Sequence, residues 1–232
     1  ATGWHTLEVQ AAYTPTAGDF GGGRHALVFG LHRNACKLEN IVHAASDWRR
    51  TETGLNQRYT GQTVITALYA QDAWRFAPEW LLTTGLRLES FKASKGSQYF
   101  AGPPAAQQVF AGRSLRAASP KLSLAWTAAD DWLLRASFGR GTRFPSVEEL
   151  FNGAKTGRSI TTSDPNLRPE VSRAFELTAE KYWGEHWLRA SLFRDDVKDT
   201  ILWQTDVTVF PSVTRISNVD RVLTNGLDME SN

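Results

Sequence analysis

Residues 119–138 read SPKLSLAWTAADDWLLRASF. Leu122, Leu124 and Trp126 occupy alternate positions, with Lys121 and Ser123 between them. After a short polar turn, Trp132, Leu134, Ala136 and Phe138 alternate with Arg135 and Ser137. Successive side chains of a strand point to opposite faces. The stretch therefore predicts a hairpin with one apolar and one polar face, and a tryptophan on each arm beside the turn. Trp74 and Trp80 flank a second such turn, and Trp183 and Trp187 a third. Alternation alone would suit a half-buried sheet in a soluble protein. Tryptophans at one height on successive hairpins have another cause. Indole settles at the headgroup level of a bilayer, and membrane barrels carry aromatic girdles at their interfaces. Trp74, Trp80, Trp126, Trp132, Trp183 and Trp187 are expected to form such a girdle.

Working outward, nine strands are expected near 4–13, 24–45, 63–75, 79–92, 119–127, 131–142, 172–183, 186–204 and 215–232. Leu188, Ala190 and Leu192 against Arg189 and Ser191 repeat the two-faced pattern. Connections at 76–78, 128–130 and 184–186 are minimal, whereas those at 46–62, 93–118, 143–171 and 205–214 are long. Short turns at one end and long loops at the other are the asymmetry of outer-membrane barrels. The expected fold class is all-β, an antiparallel transmembrane β-barrel segment. Arg87, Glu89, Arg135, Glu176, Glu180 and Arg189 fall on the polar face, which in a barrel lines the lumen.

Composition supports this reading by what it excludes. The 26 Lys and Arg nearly balance 24 Asp and Glu, so no nucleic-acid footprint is present. The longest apolar run, Ala26 to Leu31, is far shorter than the ~18 residues of a transmembrane helix. Mean hydropathy is −0.35, which is no obstacle when only alternate strand residues meet lipid. Cys36 is the one cysteine, so no intrachain disulfide forms. The opening ATGWHTLEVQ lacks the charged and apolar regions of a signal peptide. The final GLDMESN stops inside an expected strand, so both ends read as cut from a longer chain.

Several strings, in order, carry a resemblance. They are YAQDAW (Tyr69 to Trp74), GLRLESF (Gly85 to Phe91), SPKLSLAW (Ser119 to Trp126), RASFGRGTRFPSVEELF (Arg135 to Phe151) and NLRPEVSRAFELTAEKY (Asn166 to Tyr182). Asn218 and Gly226 follow. Together they resemble the barrel strands of TonB-dependent outer-membrane receptors, over Tyr69 to Asp228. Phe144 stands where that family usually has alanine, and Asp228 where it usually has glutamate. The resemblance implies that residues 1–232 are a partial receptor barrel, truncated at both ends, from a barrel of about 22 strands around a plugged lumen. It also implies partners: outer-membrane lipid, the receptor's own missing plug domain, the TonB energy-coupling protein through a missing N-terminal segment, and an iron chelate. Import of a scarce nutrient such as a ferric siderophore, at the outer membrane of a Gram-negative bacterium, is the implied task. A passive porin and a soluble β-sandwich binding module are the alternatives.

No catalytic residue, cofactor or nucleic-acid partner is expected. Nucleophile-elbow, Walker and zinc-protease motifs are missing. His5, His25, His32, His43 and His186 have no ligand spacing, and Asp195, Asp196 and Asp199 lack the glycine and glutamate of a calcium loop. Ligand contacts are expected on the long connections, because binding residues concentrate on loops held by a rigid scaffold. Connection 46–62 offers Trp48, Arg49, Arg50, Arg58 and Tyr59, and 93–118 offers Tyr99, Phe100, Phe110, Arg113 and Arg116. Arginine with aromatics suits an anionic, partly aromatic metal chelate.

Overall fold

The computed structural model describes residues 2–16, 22–47, 49, 52–102, 104–129 and 131–232. In chain order these form β1 (Gly3–Tyr13), β2 (Arg24–Ala44), β3 (Gly54–Ala77), β4 (Trp80–Phe100), β5 (Ala106–Val109), β6 (Arg113–Ala129) and β7 (Trp132–Arg143). A short helix α1 (Val147–Phe151) follows, then β8 (Ala154–Lys155), β9 (Ser159–Thr162), β10 (Glu170–Trp183), β11 (His186–Asp206) and β12 (Ser212–Ser231). One sheet joins them in the order β1-β2-β3-β4-β6-β7-β10-β11-β12-β9-β8, with β5 on β4. The long strands pair antiparallel with their chain neighbours, whereas β9 joins β12 in parallel. The nine expected strands are the nine long ones, and the sheet remains open: an all-β barrel segment.

Several strands run further than the sequence suggested. A bilayer crossing takes about 9–11 tilted residues, yet β3 has 24 and β4 has 21. In their upper parts polar residues enter both faces and the apolar alternation fades. Arg58 and Tyr59 therefore lie on β3, Tyr99 and Phe100 on β4, and Arg113 and Arg116 on β6, rather than on loops. Arg49 sits in a turn and Phe110 just past β5, while Trp48 and Arg50 lie outside the described residues.

The sheet has two chemically distinct faces. Leu31, Leu68 and Leu88 are cross-strand partners in succession, as are Phe138 and Phe175. Leu68 is 61% exposed, Leu177 60% and Leu227 60%. So much contiguous apolar surface marks a face that meets lipid. Near the short turns this outer face carries an aromatic ladder. His25 stacks on Trp74 at 5.4 Å, Trp74 and Phe76 lie 5.4 Å apart, Phe76 meets Trp80 at 6.1 Å, and Trp80 stacks on Trp126 at 5.2 Å. Trp132 and Trp183 continue the belt, with the Lys181 ammonium 5.1 Å over the Trp132 ring.

Trp187 departs from it. It pairs with Tyr182, on the face of Glu180 and Arg189, and the Arg189 guanidinium lies 5.6 Å over its ring. Turn geometry is the reason. The β3–β4 and β6–β7 hairpins carry irregularities, between Trp74 and Ala77 and between Thr127 and Ala129, and both tryptophans of each remain on one face. The β10–β11 register is regular down to Trp183 opposite His186. The next residue, Trp187, must then point inward.

The inner face holds a core at the loop end. Leu38 of β2, Tyr59 of β3 and Phe91 and Ala93 of β4 pack with Phe144, Val147, Leu150, Phe151 and Leu167, and the cluster continues to Ile201 of β11 and Ile216 of β12. Phe91 and Phe144 stack at 4.9 Å. The Phe151 ring fills the space over Gly61 and Gly96, where an added Cβ would come within 2.3 Å of it at either position. Residues 144–169 thus fold onto the inner surface instead of standing as an open loop.

Two outcomes are expected in a receptor carrying this segment. Phe151→Ala should destabilise it by about 3–5 kcal/mol, the usual cost of a buried phenyl, measured as a lower midpoint of denaturant unfolding in detergent. Arg in place of Leu134, which stands opposite the belt residue Trp126, should cost about 0–1 kcal/mol, whereas Arg in place of Leu177, further along the apolar rows, should cost about 2–4 kcal/mol. A water-soluble thiol reagent should modify a cysteine at 135 faster than one at 134, and the opposite order would reverse the two faces.

Candidate functional site: a strap across the loop end

The strap begins where β7 stops. Pro145 has no backbone N–H for a strand ladder, and Ser146 then caps α1. The Ser146 Oγ accepts from the Glu149 N–H at 3.2 Å, while the Glu149 carboxylate accepts from the Ser146 N–H at 2.7 Å. This reciprocal capping box fixes a helix too short to hold by itself. Arg143 pins both ends of the excursion. Its Nη1 donates to both Glu149 oxygens at 3.1 Å, and its Nε donates to Glu170, the cross-strand partner at the start of β10. Glu170 also accepts from the Ile201 N–H at 2.6 Å. These groups lie at the loop-end rim, beyond the apolar rows. The hydrogen bond from Arg143 comes first among the causes that hold the Glu170 carboxyl below its ordinary range.

Further along, polar side chains of the sheet receive the strap backbone. Gln57 donates to the Lys155 carbonyl at 2.6 Å and accepts from the Lys155 N–H at 2.9 Å, as a neighbouring strand would. The Tyr59 hydroxyl donates to the same Gln57 oxygen at 2.9 Å. Asn40 donates to the Asn152 side chain at 3.0 Å, and Gln98 to the Ser163 hydroxyl at 2.9 Å. At the far side Asn218 accepts from the Arg168 N–H at 2.8 Å and donates to its carbonyl at 2.9 Å, and Arg168 pairs with Asp199 at 2.6 Å. The strap is anchored from β2 to β12.

The residues expected to contact ligand divide by face. Tyr59, Phe100, Phe110 and Arg113 converge on the strap. Tyr59 meets Phe100 edge-on at 5.7 Å, Phe110 stacks on Phe151 at 5.9 Å, and Arg113 donates to the Leu167 carbonyl at 2.6 Å. They hold the strap rather than face an open mouth. Arg58, Tyr99 and Arg116 lie on the opposite, outer face, with Arg58 opposite Tyr99 and donating to Glu39 at 3.3 Å. Sequence reasoning missed the strap's solvent edge, where Lys155, Thr156, Arg158 and Asn166 are exposed. Lys155 and Arg158 flank Gly157 in the stretch AKTGRS, a small cationic turn that was the available signal.

Below the strap the inner face is polar and paired. Arg87 donates to Glu89 at 2.9 Å, lies 2.9 Å from the His32 Nδ1, and covers the Tyr69 ring at 5.8 Å. Tyr69 in turn donates to Glu8 at 2.8 Å. A second network links Arg189 to Glu180 at 3.0 Å and Glu230 at 3.3 Å, with Thr178 donating to Glu176 at 3.0 Å. Arg135 shares this face beside Thr178, its cross-strand partner. These groups can hold a hydrated or polar occupant in place by charge and hydrogen bonds. They present no nucleophile and base aligned on a common reacting point.

Known proteins resemble this chain in sequence and in fold. A haem/hemopexin utilization protein C of Haemophilus influenzae is 34% identical over 200 residues, covering 73% of this chain and 26% of its own length. Among solved structures, the copper transporter OprC superposes with a TM-score of 0.70 at 19% identity, over 98% of this chain and 35% of its own. The Serratia marcescens hemophore receptor HasR, solved with its hemophore HasA and heme, gives 0.62 at 14% identity, over 100% of this chain and 46% of the other. At those identities the structures speak for the fold alone. The chain spans about a quarter of the length of that curated relative. The family profile described as TonB dependent receptor-like, beta-barrel, matches residues 2–232, and the chain belongs to that family.

Proposed function

We propose that this segment is part of the barrel wall of a receptor that imports an iron-bearing nutrient across the outer membrane of a Gram-negative bacterium. In this reading residues 1–232 are one portion of the barrel domain. The polar inner face meets the receptor's plug domain, and the TonB energy-coupling protein acts through a segment outside this chain. The receptor binds and moves its cargo without altering it.

The strap carries the capture step. It is a rigid shelf at the loop end, held by Gln57, Arg113 and Asn218 and wedged by Phe151. Its exposed edge carries Lys155 and Arg158. A pair of cations displayed above an apolar anchor suits an anionic chelate, whose oxygens can accept charge-assisted hydrogen bonds from both. Two cargo chemistries fit. A ferric siderophore follows from the family resemblance, and haem is favoured by the relative named for haem and hemopexin utilization. Haem carries two carboxylates on an aromatic plane, which would match the two cations.

Growth separates these readings. A strain whose only iron-uptake receptor is the full-length protein carrying this segment should grow on one iron source, haem or a ferric siderophore, and stop when the proton-motive force is collapsed. Growth that persists without energy coupling would make the protein a passive channel. Replacing Lys155 and Arg158 together with Ser should weaken cargo binding by at least about tenfold, since contacts to charged groups are each worth about 1.5–3 kcal/mol. Amounts of assembled receptor should not change. Undiminished binding would remove the strap from recognition.

A further inference from the structure

One buried glutamine meets the part of the strap that displays Lys155. Within the strap β8 and β9 form a small hairpin, with Ala154 opposite Thr161 and Lys155 opposite Ile160. On one side β9 joins β12 in parallel, with residues 159–162 opposite 212–215. On the other side β8 ends the sheet and has no strand beside it. Among the described residues, Gln57 is the one side chain of β2, β3 or β4 that hydrogen-bonds the backbone of residues 153–162. It lies 98 residues from Lys155 in the chain and is only 5% exposed.

The bonding admits one arrangement of that amide. The Lys155 carbonyl needs a donor and the Lys155 N–H an acceptor, so the amide nitrogen meets the first at 2.6 Å and the amide oxygen the second at 2.9 Å. The Tyr59 hydroxyl donates to the same oxygen at 2.9 Å. Burial pushes the Tyr59 pKa up to about 12, so the hydroxyl remains a donor at neutral and acidic pH. The Tyr59 ring also seats Gly153, where an added Cβ would come within 2.8 Å of the ring and 3.0 Å of the Thr161 carbonyl oxygen. Gln57 and Tyr59, two apart on β3, thus meet Lys155 and Gly153, two apart on the strap. With its backbone groups engaged in the plane of the sheet, the Lys155 side chain projects out of that plane, and it is exposed.

We propose that Gln57 is a positioning residue for cargo: it sets the place and direction of the Lys155 ammonium beside the Arg158 guanidinium, and through them selects a chelate with two separated anionic groups. The inference rests on the reading of the strap as the capture shelf. An ammonium is a point charge on a flexible stem, so the place of its backbone decides where it can reach. Arg158 is held from another direction, because its carbonyl accepts from the Ser212 N–H at 3.1 Å. One cation therefore takes its position from β3 and the other from β12. Gln57 itself touches no cargo and acts wholly through the Lys155 backbone.

The test uses the purified full-length receptor carrying this segment, in detergent, titrated with haemin and with a ferric tris-catecholate. Gln57→Leu removes both bonds to Lys155 and should weaken binding of the probe that the unaltered receptor takes by roughly tenfold. Gln57→Glu is the discriminating variant. Its ionised carboxylate repels the Lys155 carbonyl, so near neutral pH it should bind as poorly as the leucine variant. Burial favours the protonated form of a carboxyl, so acidification to about pH 5 neutralises the group. The new O–H then donates to the Lys155 carbonyl as the amide did. Affinity should recover to within about twofold of the unaltered receptor at the same pH, and the leucine variant should not recover. A glutamate variant that binds fully near neutral pH, or stays weak at both, overturns the proposal. Replacing Lys155 and Arg158 by Ser separates the two layers. If that receptor binds fully, or the unaltered one takes neither probe, the capture reading fails and this inference with it. If it binds weakly while the Gln57 variants bind fully, the positioning role alone falls. Should neither Gln57 variant assemble, Gly153→Ala decides, because its methyl presses on the Tyr59 ring and lifts β8 from the amide; unchanged affinity there overturns the proposal.

Discussion

The Arg143 guanidinium holds the loop end together. It sits at the last position of β7, bonded forward to Glu149 in the helix that opens the strap and across to Glu170, where the strap rejoins the sheet. Departure and return are thus tied at one point, and the residues between cannot drift away as a mobile loop. The helix cap, the seat for Phe151 and the amide clamp of Gln57 all depend on that closure, because each needs the strap to arrive at a fixed angle. The guanidinium stays partly open to solvent, and the hydrogen bond to Glu170, together with the Glu149 carboxylate, favours its charged form further.

The wall below obeys a simpler rule. With lipid on one side and a polar interior on the other, period-two alternation is strongly enforced, and it is also what made the hairpins readable. Leu122, Leu124, Leu134 and Ala136 could be assigned to a face from sequence because a one-residue slip would put Arg135 into hydrocarbon. That constraint ends at the membrane boundary. In residues 54–62 and 93–100 polar residues enter both faces, as at Gln57 and Gln98 within and Arg58 and Thr60 without, so the strands continued without a clean alternation to signal them.

The strap was illegible for a different reason. Its motif, TRFPSVEELF, reads as a strand end followed by a capping box, and both are present. What sends it inward is a space above Gly61 and Gly96, far away in sequence on β3 and β4. Nothing local in 144–151 reports that space. Arg113, Phe100 and Phe110 looked like ligand contacts because arginine and aromatics serve both recognition and packing, and here the neighbours made them packing. Trp187 turned on one missing irregularity at the hairpin, a detail of backbone count that composition does not carry.

The strap is attached through its underside and its backbone, and its solvent edge bears almost none of that work. Lys155 and Arg158 can be exchanged for other side chains while the amide clamp, the phenyl seat and the arginine closure stay as they are, whereas the Thr156 hydroxyl accepts from the Arg158 and Ser159 N–H groups and holds the turn between them. Such a division separates what the strap shows to solvent from what holds it down. Changes at Lys155 and Arg158 alter the charge of one exposed ribbon while the attachment beneath it, and the wall that carries it, stay as they are.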